Sequence, residues 1–377
     1  MSDLVVSKSL WGRLYNGQTS FDLYGKRRRG FAFSLALIVI SLVSLFTRGV
    51  NLGIDFEGGV AWQVPASSTM DIDAARSVLD ENGVETSSAK IQTLTSGTEE
   101  FVRIQVGDEP SEVRSAVQIA LAEAAGVSVD DVSVSSVSSS WGRTITEKAV
   151  RALVIFLVLV SLYIAWRFEW RMALSAILAM AHDVLVSVGI YSLTGFEVTP
   201  ATIVAFLTIL GFSLYDTIVV FDKVQDNVKR FSGTRVPVAD IVNVSANQVL
   251  MRSLNTSIAA ILPVLSLLVL GSGVFGAIAL REFSLALLVG VTTGAYSSVF
   301  IATPLYALFK EREPKFATLR GSHVTGTALQ QMVVTGLPAG SRAVKRVEAS
   351  SGEVLSADLS ATSVLTHPPR PRKKRRR

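Results

Sequence analysis

Six apolar runs fix most of what this chain can fold into: residues 30–46, 149–166, 172–193, 199–221, 253–270 and 283–309. The hydrocarbon core of a bilayer is about 30 Å thick and takes roughly 20 residues of helix to cross. Inside it no water is present to satisfy backbone groups, so such runs must become helices. Composition agrees, with 49% hydrophobic and 18% charged residues and a mean hydropathy of +0.43. The sequence therefore predicts a polytopic α-helical membrane protein with six transmembrane helices. Cysteine is absent, which removes thiol catalysis, disulfides and thiolate metal sites. The histidines, His182, His323 and His367, are too scattered to form a ligand cluster.

The first run follows a basic segment with Lys26, Arg27, Arg28 and Arg29. No small-x-small cleavage pattern follows it, so it reads as a retained span over 31–48, preceded by a cytoplasmic segment over 1–30. Lys and Arg counts in the short loops give the orientation. Arg167 and Arg171 lie in one loop and Lys223, Lys229, Arg230 and Arg235 in another, whereas 194–199 has neither and 271–282 has only Arg281. Both termini are then cytoplasmic. Residues 148–310 hold spans two to six, with a cytoplasmic loop at about 222–252.

Between the first two spans, residues 49–147 are polar enough to be an extracytoplasmic domain. Alternating segments at 58–64, 89–94, 100–106 and 131–137 read as strands, and 71–83 and 110–126 as helices. The second helix places Val113, Val117, Leu121 and Ala124 on one face. The order β-α-β-β-α-β predicts an α+β ferredoxin-like domain with two helices on one face of the sheet. The segment GIDFEGG at 53–59 lacks the lysine of a phosphate loop and reads as a turn into that sheet.

Polar residues inside the spans are the functional candidates. A carboxylate at membrane depth costs roughly 2.5–3.5 kcal/mol on insertion scales. Asp216 sits inside the fourth run, and Arg252 stands at the start of the fifth. Asp216 lies about six residues, roughly 9 Å, inside the same face of the membrane, and the flexible stem of Arg252 can bring the two charges together. Asp183 falls near the middle of the third run. His182 precedes it, and as adjacent helical residues the two point about 100° apart, away from a shared relay. Ser213 lies one turn before Asp216 on the same face. In the sixth run Ala286, Gly290, Gly294, Ser298 and Ala302 recur every fourth residue, which predicts a closely packed helix pair. Residues 311–377 are poor in large apolar side chains and end in PPRPRKKRRR, so a disordered basic cytoplasmic tail is expected. Anionic lipid headgroups would attract it by about 1 kcal/mol per basic residue, and ribosomal RNA is an alternative partner.

GIDFEGG (53–59), the stretch from AHDVLV to VQDN (181–227) and RSLNTS (252–257) together resemble the SecF subunits of the bacterial SecD/SecF protein-export complex, within the RND superfamily of proton-driven transporters. The likeness covers about residues 20–312. It implies half of an RND-type bundle, completed by a SecD partner in the bacterial cytoplasmic (inner) membrane. It implies a non-enzymatic function without cofactors, in which proton movement aids late protein export, alongside SecYEG, SecA and unfolded secretory chains. No DNA partner is implied. By the same resemblance Asp216 and Arg252 occupy positions linked to proton translocation, and Asp183 another characteristic position. The family pattern usually has tyrosine at Phe212 and asparagine at Tyr215. An RND-type exporter of small molecules or lipids is the alternative, though a domain of about 95 residues is small for enclosing a substrate path.

Overall fold

The computed structural model describes residues 9–96, 99–272 and 278–339. A short helix, α1 (Leu10–Tyr15), precedes the first long apolar helix, α2 (Arg27–Arg48). The buried residues of α2 are small, namely Gly30, Ser34, Ser41 and Ser44, so its large side chains face outward. The GIDFEGG segment forms one helical turn, α3 (Ile54–Glu57), rather than a turn alone. Gly58 and Gly59 then reverse the chain at φ 80° and 117°. A Cβ on Gly59 would lie 2.2 Å from the Val106 carbonyl oxygen, so this entrance to the sheet needs glycine for space as well as for φ.

The domain follows as β1 (Gly59–Pro65), α4 (Ile72–Glu81), β2 (Lys90–Ser96), β3 (Glu99–Val106), α5 (Ser111–Ala125) and β4 (Ser133–Val137). Its four strands lie in the order β2-β3-β1-β4, each neighbouring pair antiparallel. Val60, Trp62 and Val64 alternate inward from β1, as the two-residue period of a strand requires. Ala75, Val78 and Leu79 of α4 and Val117 and Leu121 of α5 cover them. Val113 and Ala124 pack at the edge of that core, so the helix face read from the sequence is the one used.

β4 runs almost directly into α6 (Ser139–Arg167), and the expected boundary at 147 falls inside a continuous helix. The bundle continues with α7 (Trp170–Thr194), α8 (Pro200–Arg230) and α9 (Val238–Ser266), which extends through a π-helical turn, Leu267–Ser272. Then come α10 (Ile278–Ser297), a second π-helical turn, Ser298–Ala302, and α11 (Thr303–Lys310). Among the described residues six helices are long and apolar enough to cross a membrane, matching the six runs. Two sequence boundaries change. Only residues 231–237 connect α8 and α9, because both helices extend well past their apolar runs. The first three turns of α9 bury Asp240, Asn243, Ser245 and Asn247 among its valines, a composition that hydropathy reads as loop.

Those polar residues hold the segment that leads into α2. Asn247 takes both backbone groups of Phe21 at 2.8 Å. Asn243 accepts from the Tyr24 amide at 2.8 Å and donates to Asp22 at 3.0 Å. Residues 311–339, expected in a disordered tail, instead include α12 (Pro314–Ala317) and α13 (Gly326–Thr335). Leu329, Met332 and Val333 bury against Phe231, Val236, Ile241 and Val244. The ten residues of α13 are too few to register as a span yet enough to dock, and Gln248 donates to the Val333 carbonyl at 2.9 Å. The basic run at the C-terminus lies outside the described residues.

At the opposite end the sheet domain is fastened to the bundle. The Val198 amide donates to Asn51 and the Gly53 amide to Val198, at 2.8 and 3.0 Å. Arg103 of β3 pairs with buried Glu197 at 3.0 Å, and Gln105 donates to the same oxygen at 3.3 Å. Burial pushes the Glu197 carboxyl above its ordinary range, and the Arg103 guanidinium opposes that shift.

Candidate functional site

α8 and α10 cross closely because α10 is glycine at the contact. A Cβ on Gly290 would lie 2.2 Å from two carbons of Ile209, and one on Gly294 would lie 2.8 Å from the Ser213 Cβ. Ala286 is fully buried at the same seam. The small-residue repeat thus makes the tight pair the sequence predicts, and it brings the polar residues of α7, α8, α9 and α10 within hydrogen-bonding reach of one another.

Two carboxylates occupy that interior. Asp183 of α7 is completely buried, and its Oδ2 accepts from Ser213 of α8 and Ser297 of α10, both at 2.6 Å. Asp216 of α8 is 2% exposed, and its Oδ2 accepts from Ser253 of α9 at 2.8 Å and from Ser298 at the start of the π turn. Four helices therefore meet at two aspartates through four serine hydroxyls. An apolar cavity of about 350 Å³ reaches Asp183 from the domain side, past Val50, Leu52, Val198, Ile203 and Phe206. Ser187 also lines it, and its buried hydroxyl has no hydrogen-bond partner among the described residues.

Two expectations are corrected here. Asp216 and Arg252 do not form an ion pair. Arg252 and Ser253 are adjacent on α9 and face different ways; the register turns Ser253 inward to Asp216 and leaves Arg252 exposed, donating to the Tyr215 hydroxyl at 3.2 Å. Tyr215 is one of the two departures from the family pattern, and its phenol reaches the guanidinium. His182 and Asp183 also behave differently from the 100° argument. The imidazole folds back along the helix so that Nδ1 lies 3.0 Å from Asp183 Oδ1. Backbone directions diverge, but a long side chain beside a short one closes the gap.

Sequence reasoning found Asp183, Asp216 and Ser213 and missed Ser253 and Ser297. It counted Ser298 as packing only. The signal was present: a serine pair inside an apolar run, and a serine directly after the one arginine of the fifth span.

The fold and this interior define an integral membrane protein: six spans, a small sheet domain between the first and second, and buried carboxylates at the helix crossings. Family models for the SecD/SecF GG motif and for the C-terminal part of the SecD/SecF protein export membrane proteins match residues 43–68 and 117–312. Protein translocase subunit SecF of Streptomyces coelicolor is 40% identical over 313 residues, covering 83% of each chain. That of Mycobacterium tuberculosis is 43% identical, covering 81% of this chain and 70% of its own. The crystal structure of SecDF from Thermus thermophilus, described as a translocon-associated membrane protein, superposes with a TM-score of 0.70 at 35% identity. The match covers 78% of this chain and 39% of that one, so this chain spans about two-fifths of SecDF. The chain belongs to the SecF family of the SecD/SecF protein export membrane proteins, and its role lies in protein translocation.

Proposed function

We propose that this chain couples proton movement across the bacterial cytoplasmic membrane to a late stage of protein export, together with a SecD-type partner. The observation that carries the reading is the pair Asp183 and Asp216, set among four helices and held by serine hydroxyls, with the His182 imidazole beside Asp183 and neither acid paired with a lysine or arginine among the described residues. A carboxylate so held can take up or release a proton through a small rearrangement of its donors. One charge crossing 100 mV gains about 2.3 kcal/mol, enough to bias a two-state element. Protons are then the coupling ion; no cofactor and no enzymatic step enter the mechanism.

A partner is supported by the face left open. Val204, Thr208, Gly211 and Tyr215 form an exposed stripe on α8, beside exposed Arg252 and Asn255 of α9. A guanidinium facing hydrocarbon costs roughly 2.5–3.5 kcal/mol on insertion scales. A six-span SecD-type chain on this stripe would cover it with protein and complete an RND-type pair of halves, consistent with SecDF of Thermus thermophilus being matched over two-fifths of its length. Loop charges support cytoplasmic termini and a sheet domain outside, and its strand order supports a ferredoxin-like reading. SecYEG, SecA and emerging unfolded chains are the remaining partners in this reading, with anionic lipid at the basic tail.

The test is Asp216→Asn in cells whose export depends on this chain. Pulse-labelled secretory precursors should mature at least tenfold more slowly with the proton gradient intact, while membrane abundance and copurification with the SecD-type chain stay unchanged. Maturation at the wild-type rate reduces the aspartate to a structural residue and refutes the proposal.

A further inference from the structure

The π-helical turn Ser298–Ala302 stands where α10 passes both aspartates. Its cause is local. Pro304 has no amide hydrogen to give the Phe300 carbonyl four residues back, and its ring crowds that carbonyl. The chain widens by one residue instead, and Thr303 Oγ1 donates to the Ser298 carbonyl at 2.6 Å. Single π turns inside α-helices commonly mark functional positions because one extra residue can be absorbed or released there.

Two neighbouring residues at the edge of this turn point to different acids. Ser297 donates to Asp183 and Ser298 to Asp216. Each hydroxyl also lies 3.2 Å from a carbonyl of its own helix, Gly294 for Ser297 and Ala295 for Ser298, which offers an alternative acceptor when the aspartate is lost. The charge-bearing groups nearby are Asp183 and His182 on α7, Asp216 on α8 and Arg252 on α9.

We propose that Ser297 and Ser298 are positioning residues that make the two aspartates sense each other's protonation through the π turn. The inference rests on the proton-coupled reading above. A hydrogen bond to an ionised carboxylate is roughly twice as strong as one to a neutral group. When Asp216 gains a proton, Ser298 loses that advantage and turns to the Ala295 carbonyl. The π turn that Pro304 imposes stays in place, but its widened backbone follows Ser298, and adjacent Ser297 is drawn away from Asp183. The reverse sequence follows when Asp183 is protonated first. No covalent bond changes; one proton is bound at one carboxylate, and hydroxyl donors are redistributed.

The test uses the full chain with its copurifying partners in lipid nanodiscs, read by infrared difference spectroscopy. The stretching bands of the two side chains, carboxyl or carboxylate, are assigned by their loss in Asp183→Asn and Asp216→Asn. Asp216→Asn is expected to displace the Asp183 band when both serines are present. In Ser298→Ala, and independently in Pro304→Ala, that displacement should vanish, and Ser298→Thr, which keeps the hydroxyl, should restore it. An Asp183 band that ignores Asp216→Asn in the presence of both serines, or that still responds to it in Ser298→Ala, overturns the proposal. In proteoliposomes carrying the same complex, Ser297→Ala and Ser298→Ala should each slow proton flux at least tenfold. Wild-type flux in both serine variants with none in Asp216→Asn sinks the coupling and spares proton transport. Wild-type flux in Asp216→Asn itself sinks the proton-coupled reading as well.

Discussion

Replacing Gly290 by alanine is a stringent test of the α8–α10 crossing. The added Cβ would sit 2.2 Å from Ile209 Cδ1 and Cγ2 and 2.5 Å from Cγ1, where carbon atoms normally keep about 3.5–4.0 Å. Ile209 is 2% exposed, and a β-branched side chain on a helix has one strongly preferred χ1, so it cannot rotate out of the way. Overpacking of this kind costs about 1–3 kcal/mol, and alanine regains up to about 1 kcal/mol of backbone entropy over glycine. A net loss of about 1–2 kcal/mol is expected. Gly211, on the open stripe of α8, has nothing within 4 Å of an added Cβ; Gly211→Ala should be neutral or stabilising by about 0.5–1 kcal/mol in the isolated chain. Unfolding in mixed micelles, followed by helix circular dichroism, measures both. Ile209→Ala alone should cost about 2–5 kcal/mol through its cavity. Combined with Gly290→Ala it should cost at least about 1 kcal/mol less than the sum, since the new methyl fills space the isoleucine vacated. Equal stability of Gly290→Ala and Gly211→Ala, or strict additivity of the pair, would refute the packing argument.

Two further outcomes follow from the ends of the bundle. Asn247→Ala removes the two part-buried hydrogen bonds that hold the backbone of Phe21, at about 0.5–1.5 kcal/mol for each bond lost. Limited proteolysis should then cut within residues 16–26 at least several-fold faster, and unchanged cleavage would mean the clamp does not fasten that segment. At the domain side, Glu197 has a carboxyl raised from its ordinary 4.5 by burial. A raised acid binds its proton more readily in the folded state, so its contribution is greatest at low pH and is lost as pH rises through the raised value. Glu197→Gln removes this dependence. Wild type should therefore gain stability over the variant on acidification across that window, and a gap that is flat or widens with rising pH would contradict the sign.

The spans were legible because lipid imposes one rule on every residue of a run, and length alone satisfies it. The sheet domain was legible because β1 alternates and α5 repeats at helical spacing. What hydropathy could not see was protein burying polar surface. Asn243 and Asn247 look like loop residues until the N-terminal segment is laid across them, and Leu329, Met332 and Val333 are unremarkable until α9 supplies the surface they cover. The same limit hid half of the site. Asp216 announced itself by its cost in lipid. A serine costs little there, so neither Ser253 nor Ser297 is conspicuous until a register puts each beside a carboxylate.

That register also bears on why an arginine near Asp216 is not paired with it. A guanidinium bonded directly to Asp216 would fix the acid in its charged state, and breaking such a buried pair is strongly unfavourable, about 3–5 kcal/mol when one member is removed. That exceeds the roughly 2.3 kcal/mol one charge gains across 100 mV. With serine donors instead, the difference between the ionised and neutral hydrogen bonds is about 1 kcal/mol apiece, within reach of that driving force. Arg252, one position away and turned outward to Tyr215, is close enough to influence the site without locking it. Under the proton-coupled proposal an acid that must cycle under a membrane potential needs that arrangement, so moving the arginine inward should be worse than removing it. Ser253→Arg, combined with Arg252→Ser, swaps the two positions and should stop proton flux in proteoliposomes more completely than Arg252→Ser alone. Equal flux in the two variants would show that the outward register of Arg252 has no part in transport.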